Sequence, residues 1–280
     1  GSHLMPMVSY ALVGVLIGFM SGLFGVGGSS ISTPVLKMLF SLSDLAALAS
    51  PLPVTIPTAV SGAYSYWRRG FVRKDVVLWT TIWGMPGVIL GAFGTRIVSG
   101  PWLMILTGIF VLAAGLRLAV KGQDHRANEW PGRASVPLVA GLIGFVVGVL
   151  SGLLANGGGF LLVPAFVLLL GLSMQEAASS SLICVAFYAI PGTLVHWWLG
   201  NIDWFLALSL SLGVIPAGYL GSRVGLAVRG ERVRTAFGAF LIIFGADFIL
   251  AQLGVPSLVS YSILFGAVAV AGLWVAFGLL

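Results

Sequence analysis

Charge is scarce in this 280-residue chain. Only 8% of its residues are Asp, Glu, Lys or Arg, against roughly 25% in an ordinary soluble domain. Between Ala134 and Ser222 there is no Lys or Arg, and the only acids are Glu176 and Asp203. Cysteine is nearly missing as well. Cys184 stands alone, which excludes an intramolecular disulfide and a cysteine metal cluster and leaves the redox compartment open. No P-loop, no H-E-x-x-H and no paired carboxylates within an apolar segment occur, and no G-x-G-x-x-G follows a strand-like run. No enzyme, cofactor or metal site is therefore expected, and ATP-driven activity would need another subunit.

What fills the chain is apolar: 59% of residues are hydrophobic, and the mean hydropathy is +1.08. The expected class is an all-α polytopic membrane protein with the lipid bilayer as its surroundings. Residues 1–6, with "GSHLM", read as a tag remnant and the N-terminus. The first apolar segment lacks a basic n-region, so no cleavable signal peptide is expected there. Apolar segments fall at 7–26, 30–41, 44–66, 75–97, 101–120, 136–155, 160–171, 174–198, 203–225, 232–252 and 257–280. Most approach the ~20 residues that a spanning helix needs; 30–41 and 160–171 are short for a crossing. Each short segment is expected to be the return limb of a hairpin.

The tip of each hairpin is a glycine cluster, and the two clusters lie in one motif repeated 130 residues apart. "GFMSGLFGVGGSSISTP" runs from Gly18 to Pro34 and "GVLSGLLANGGGFLLVP" from Gly148 to Pro164. At the same offset Ser43 matches Ser173, Ser50 matches Ser180, Gly62 matches Gly192, Trp67 matches Trp197 and Pro86 matches Pro216. The sequence thus divides into a first repeat (7–120), a cytoplasmic linker (121–135), a second repeat (136–252) and an additional helix (253–280). Each repeat holds one glycine-broken hairpin plus three spans.

Charge orients the repeats. Arg68, Arg69, Arg73 and Lys74 crowd one loop, whose second-repeat counterpart "LGNID" has no basic residue. Arg223, Arg229, Arg232 and Arg234 crowd a connection whose first-repeat counterpart has only Arg96. Matching loops of opposite bias belong on opposite faces, so inverted topology is expected, related by an axis in the membrane plane. With Arg117, Lys121, Arg126 and Arg133, 12 of the 14 basic residues fall on the cytoplasmic side, leaving Lys37 and Arg96. The N-terminus is expected outside and the C-terminus inside. The net charge of +6 reflects this bias rather than a nucleic-acid partner.

A broken helix bares N–H groups that lipid cannot satisfy, so such backbone must be buried or line a wet cavity. Two breaks at matching positions point to a transport site. Unpaired N–H groups and positive helix ends suit an anion. The candidate binding residues are Gly27, Gly28, Ser29 and Ser30 in the first break and Asn156, Gly157, Gly158 and Gly159 in the second. Ser50, Ser180 and Ser181 offer hydroxyls on the following helices. Each return limb is expected to start near its proline, Thr33-Pro34 or Val163-Pro164. The prolines of "SPLP" (50–53) are expected to unwind the first-repeat helix. Gly14, Gly18, Gly144 and Gly148, spaced by four, read as helix-packing positions. Candidates for coupling are Asp247, His196 and Glu176. Glu176 also has capping-box spacing from Ser173. His196 sits in an aromatic interfacial stretch with Trp197, Trp198 and Trp204. Asp247 reads equally as a structural hydrogen-bonding group. Arg96 and Arg223 read as snorkelling residues.

These residues carry a likeness. "SGLFGVGGSSISTPVL", "SGLLANGGGFLLVPAF", "HWWLGNIDW" and "GVIPAGYLGSR" resemble the TauE/SafE sulfite-exporter family of bacterial membrane permeases, over nearly the whole chain. The resemblance implies a secondary transporter in the bacterial cytoplasmic (inner) membrane, working by alternating access. It also implies a small anionic substrate such as sulfite or an organosulfonate like sulfoacetate. The first motif carries Ser29 and Ser30 where a third glycine is usual, and Ala155-Asn156 precede the second run of glycines. Substrate identity therefore does not transfer directly. An anion channel is the alternative reading, and a cation or metal permease a weaker one, since the motifs offer no carboxylate, thioether or imidazole. A homo-oligomer is compatible with the sequence.

Overall fold

The computed structural model describes residues 3–27, 32, 35–36, 39–40, 42–94, 97, 100–120, 135–154 and 159–254. The described elements are helical: α1 (Leu4–Phe24), α2 (Asp44–Ala49), α3 (Pro51–Arg68), α4 (Lys74–Gly94), α5 (Gly100–Val120), α6 (Val136–Leu154), α7 (Gly159–Leu169), α8 (Met174–Trp198), α9 (Trp204–Ala227) and α10 (Gly230–Gln252). Among the described residues six helices are long and apolar enough to cross a membrane: α1, α4, α6, α8, α9 and α10. The chain is a multi-pass membrane protein. The additional helix expected in 257–280 and the linker at 121–134 lie outside the described residues.

Several boundaries differ from expectation. α1 begins at Leu4, inside the stretch read as a tag remnant. Pro6 fits there because a first-turn N–H has no helical acceptor to lose. The segment 44–66 is two helices meeting at Ser50. Pro51 and Pro53 have no N–H to continue the ladder, whereas their counterparts Ser181 and Ile183 do, and α8 runs unbroken. α7 begins at Gly159, five positions before Pro164, so that proline lies inside the limb rather than at its start. The Phe160 carbonyl consequently has no i+4 helical donor. In the first limb Ser32, Val35, Leu36 and Leu39 are helical, while Thr33 and Pro34 lie outside the described residues.

Packing is organised between the two parts of the chain. In lipid, helices gain little from burying apolar surface against each other, so close van der Waals contact through small residues drives association. Gly14 lies against Leu210 and Gly144 against Thr80; Gly18 lies against Val214 and Gly148 against Gly84; Gly22 lies against Gly218 and Gly152 against Val88. These pairs form two parallel seams, α1 on α9 and α4 on α6. Every pair repeats at an offset of 130 with the halves exchanged, the pattern that a two-fold relation produces. Gly108 against Gly245 and Gly115 against Gly238 repeat it on α5 and α10. The four-residue glycine spacing thus serves packing, as the sequence indicates.

The bundle has two distinct ends. At one, Gly225 meets Tyr66, Gly230 meets Gln175, and Arg73 lies 3.9 Å from Glu176. The ends of α3 and α9 and the starts of α4, α8 and α10 are therefore together, and their basic clusters share one end. At the other end Trp197 packs on Trp204 at 5.6 Å and His3 on Phe205 at 5.9 Å.

Candidate functional site

The first glycine break opens where α1 stops. Gly25 adopts φ 73°, a left-handed conformation that ends the helix, and its N–H bonds to the Ser21 carbonyl at 2.7 Å. A Cβ there would collide with the backbone of Ala178 on α8, so glycine is required twice over. The Ser181 hydroxyl donates to the Gly25 carbonyl at 2.9 Å, in a fully buried setting. That bond satisfies a carbonyl that the helix end leaves open. Gly27 repeats the left-handed geometry with φ 73°.

Beyond Gly25 the chain turns into the middle of the molecule. Gly27 sits beside the side chains of Thr55 and Val185. Those two positions are 130 apart, so Gly27 lies where matching points of α3 and α8 face each other. Next to it the Val26 backbone lies so close to Gly159, the first residue of α7, that a Cβ at 159 has no room. The edges of the two glycine breaks are therefore in contact at mid-bundle. The start of α7 is buried through Gly159, Phe160, Leu161 and Leu162, and its N-terminal N–H groups point back towards the breaks. Phe160 is held by Phe244 and Phe248 of α10, at 5.3 and 5.8 Å.

The expected residues divide into three groups. Gly27 and Gly159 come together at the centre, as does Ser181 through its bond to Gly25. Gly28, Ser29, Ser30, Asn156, Gly157 and Gly158 lie outside the described residues. Ser50 and Ser180 each accept a backbone hydrogen bond from another helix start. The Ser50 hydroxyl oxygen accepts from the Asp203 N–H at 3.0 Å, and that of Ser180 accepts from the Arg73 N–H at 3.1 Å. Positions 50 and 180 match, and so do 73 and 203, so each serine fastens the helix start opposite. Both oxygens still carry a proton to donate.

The three coupling candidates separate in the same way. Glu176 closes a capping box: Ser173 Oγ accepts from its N–H at 3.2 Å, and its carboxylate accepts from the Ser173 N–H at 3.4 Å. The capping geometry is the one observed. His196 Nδ1 lies 3.2 Å from Asn201 Nδ2 at the end of α8, far from the breaks. Asp247 is half-buried on α10, directly before the Phe248 that packs on Phe160.

One residue of interest was counted in the sequence only as part of a basic cluster. Arg234 belongs to the row Gly230, Arg234, Phe237, Leu241, Phe244, which faces the core along α10. Phe237 packs on Phe24, the last residue of α1, at 5.3 Å. Arg234 Nε is buried and has no hydrogen-bond partner among the described residues. A guanidinium N–H buried without an acceptor is costly, and this one lies one turn from the Phe237 that packs on the end of α1.

The comparisons with known proteins agree with this architecture. The family model of the sulfite exporter TauE/SafE matches residues 10–248. The chain belongs to the TauE/SafE family. Among its relatives is the probable membrane transporter protein YunE of Bacillus subtilis, 26% identical over 88% of this chain and 98% of the relative. A probable membrane transporter protein of Xylella fastidiosa (strain Temecula1) is 26% identical over 82% of this chain and 89% of its own length. A third, from Haemophilus influenzae, is 25% identical over 85% of this chain and 96% of its length. No solved structure matches the chain significantly. This TauE/SafE member is a membrane transporter and not an enzyme.

Proposed function

We propose that this protein is a secondary transporter of a small sulfur-containing anion, sulfite or a short organosulfonate such as sulfoacetate. The binding site lies at mid-membrane between the two glycine breaks. The observation that carries the reading is the contact of Val26 with Gly159 beside Gly27: the left-handed turn that follows α1 meets the N-terminal end of α7, whose first N–H groups have no helical acceptor, at the centre of the bundle. A sulfonate has one charge spread over three oxygens. Backbone N–H groups of residues 27–30 and 156–159, the Ser29 and Ser30 hydroxyls and the Asn156 amide would replace its water. Arg234 would draw the anion in from the basic end of the bundle. Ser181 holds the first break in place, and Ser50 and Ser180 would offer their remaining hydroxyl protons to the anion.

Reciprocal contacts at an offset of 130 and opposite charge bias in matching loops support inverted repeats. In that arrangement the basic end is cytoplasmic, the N-terminus outside, and the protein sits in the bacterial inner membrane. Alternating access would rock one set of helices against the other about the breaks.

The test is equilibrium binding to folded, purified protein. Sulfite, thiosulfate or a short organosulfonate should bind saturably, and Gly158→Leu should abolish binding with the fold retained, since the side chain fills the anion's place. An affinity unchanged in that variant would put the site elsewhere. Counterflow in liposomes separates a carrier from a channel, because only a carrier exchanges labelled substrate against an unlabelled gradient.

A further inference from the structure

Outside the central region the bundle carries an apolar groove of about 410 Å³ between α3 and α8. Its floor is Ala59 and Ala63 on α3 and Ala186 on α8; its walls are large apolar side chains such as Ile56, Val60 and Phe187. The walls stand open to the surroundings, Val60 at 66% exposure. The groove runs from the level of Ile56 to that of Trp67, eleven residues of helix or about 16 Å at ~1.5 Å each. One leaflet of a ~30 Å hydrocarbon core is about 15 Å deep. The groove therefore has the length of one acyl chain.

Its Trp67 end is different in chemistry. The Lys74 ammonium lies 5.1 Å from the Trp67 ring centre. Tyr64, one turn earlier, packs on Tyr219 at 6.4 Å, and the Arg223 guanidinium lies 5.9 Å from that ring. Arg68 and Arg69 follow Trp67 directly and are exposed. The nearby carboxylate of Asp75 is already held by Arg73 at 2.9 Å. Among the described residues Lys74, Arg68 and Arg223 have no acidic partner. Lys74 is also the first residue of α4, where the helix dipole adds positive potential. Cations and aromatic rings over an apolar slot of one-leaflet length are the chemistry of a phospholipid site with a negative head group.

We propose that this groove binds an anionic phospholipid, with one acyl chain between α3 and α8 and its phosphate held by Lys74 with Arg223 and Arg68. The cluster of cations at one end of an otherwise apolar slot selects this occupant over a second protein copy.

Native mass spectrometry of the detergent-purified protein tests it. Phosphatidylglycerol and phosphatidylcholine with identical acyl chains are supplied in equal amounts. The wild type should retain phosphatidylglycerol several-fold over phosphatidylcholine. In Lys74→Gln/Arg223→Gln, whose changed side chains are exposed, that preference should fall to near one, with the protein still monodisperse. Ala63→Phe, which fills the floor, should lose both lipids while keeping the cations; if it fails to fold, the charge variant alone decides. Equal retention of the two lipids by the wild type would overturn the proposal, as would an unchanged preference in the charge variant. Disulfide cross-linking of Val60→Cys between two copies in native membranes would also overturn it, because protein would then cover the groove.

Discussion

Ser181 donates its hydroxyl proton to the carbonyl of Gly25, 156 residues away in sequence and 2.9 Å away in space. The bond joins the open end of α1 to the helix that lines the centre, and both partners are buried. Ser181→Ala should leave that carbonyl without its donor and cost about 1–3 kcal/mol. A drop in thermal midpoint of the purified protein checks this. Substrate affinity should fall too, because the break loses its anchor.

Glycines with the same left-handed geometry should differ sharply in their tolerance. Gly25 has the Ala178 backbone where a Cβ would go, while Gly70, φ 75°, has nothing within 4 Å. Gly70→Ala should cost only the conformational penalty of about 1–2 kcal/mol. Gly25→Ala should prevent accumulation of folded protein. Expression followed by size-exclusion chromatography compares the two, and equal yields would contradict the close approach at Ala178.

Glu176 provides a contrast between a cap and a coupling group. Glutamine can occupy the same place in a capping box. Glu176→Gln should therefore change stability by less than about 0.5 kcal/mol and leave the pH dependence of transport as it is. A flattened pH profile in proteoliposome assays would instead make Glu176 a proton carrier.

Arg234 has a buried Nε with no protein partner among the described residues, in the first turns of α10 and one turn before the Phe237 that packs on Phe24. Arg234→Gln should weaken anion affinity at least several-fold and reduce its dependence on ionic strength, with little loss of stability. Titrations at two salt concentrations measure both effects. Unchanged affinity would reduce Arg234 to a charge that merely orients the chain.

The residues show why some of this was legible from sequence and some was not. α8 was readable at both ends, because Ser173 and Glu176 form a local cap and a tryptophan cluster closes the far end. The glycine spacing on α1 and α6 announced close packing without naming the partners. Gly25 could be read as a helix end but not as a contact with Ala178, since nothing local encodes a neighbour 153 positions away. Ser50 and Ser180 could be read as hydroxyls near a break, but their bonds to the Asp203 and Arg73 N–H groups could not, because those bonds are tertiary. Pro164 misled in the opposite direction. A proline near a limb suggests a first-turn position, but the meeting of Val26 with Gly159 sets the start of α7 earlier.

The glycine seams have a consequence for how such a protein can be divided. α1 finds its main neighbour in α9, α4 in α6 and α5 in α10, so the closest contacts cross from one part of the chain to the other. Neither part owns a core. Residues 3–120 alone would leave the glycine faces of α1, α4 and α5 without their partners, so a half-length chain of this layout would need a second copy to cover them. Joining the two copies in one polypeptide fixes their ratio at one to one and releases them from remaining identical. Ser29 and Gly159, and Pro51 and Ser181, are matching positions 130 apart that differ in this way.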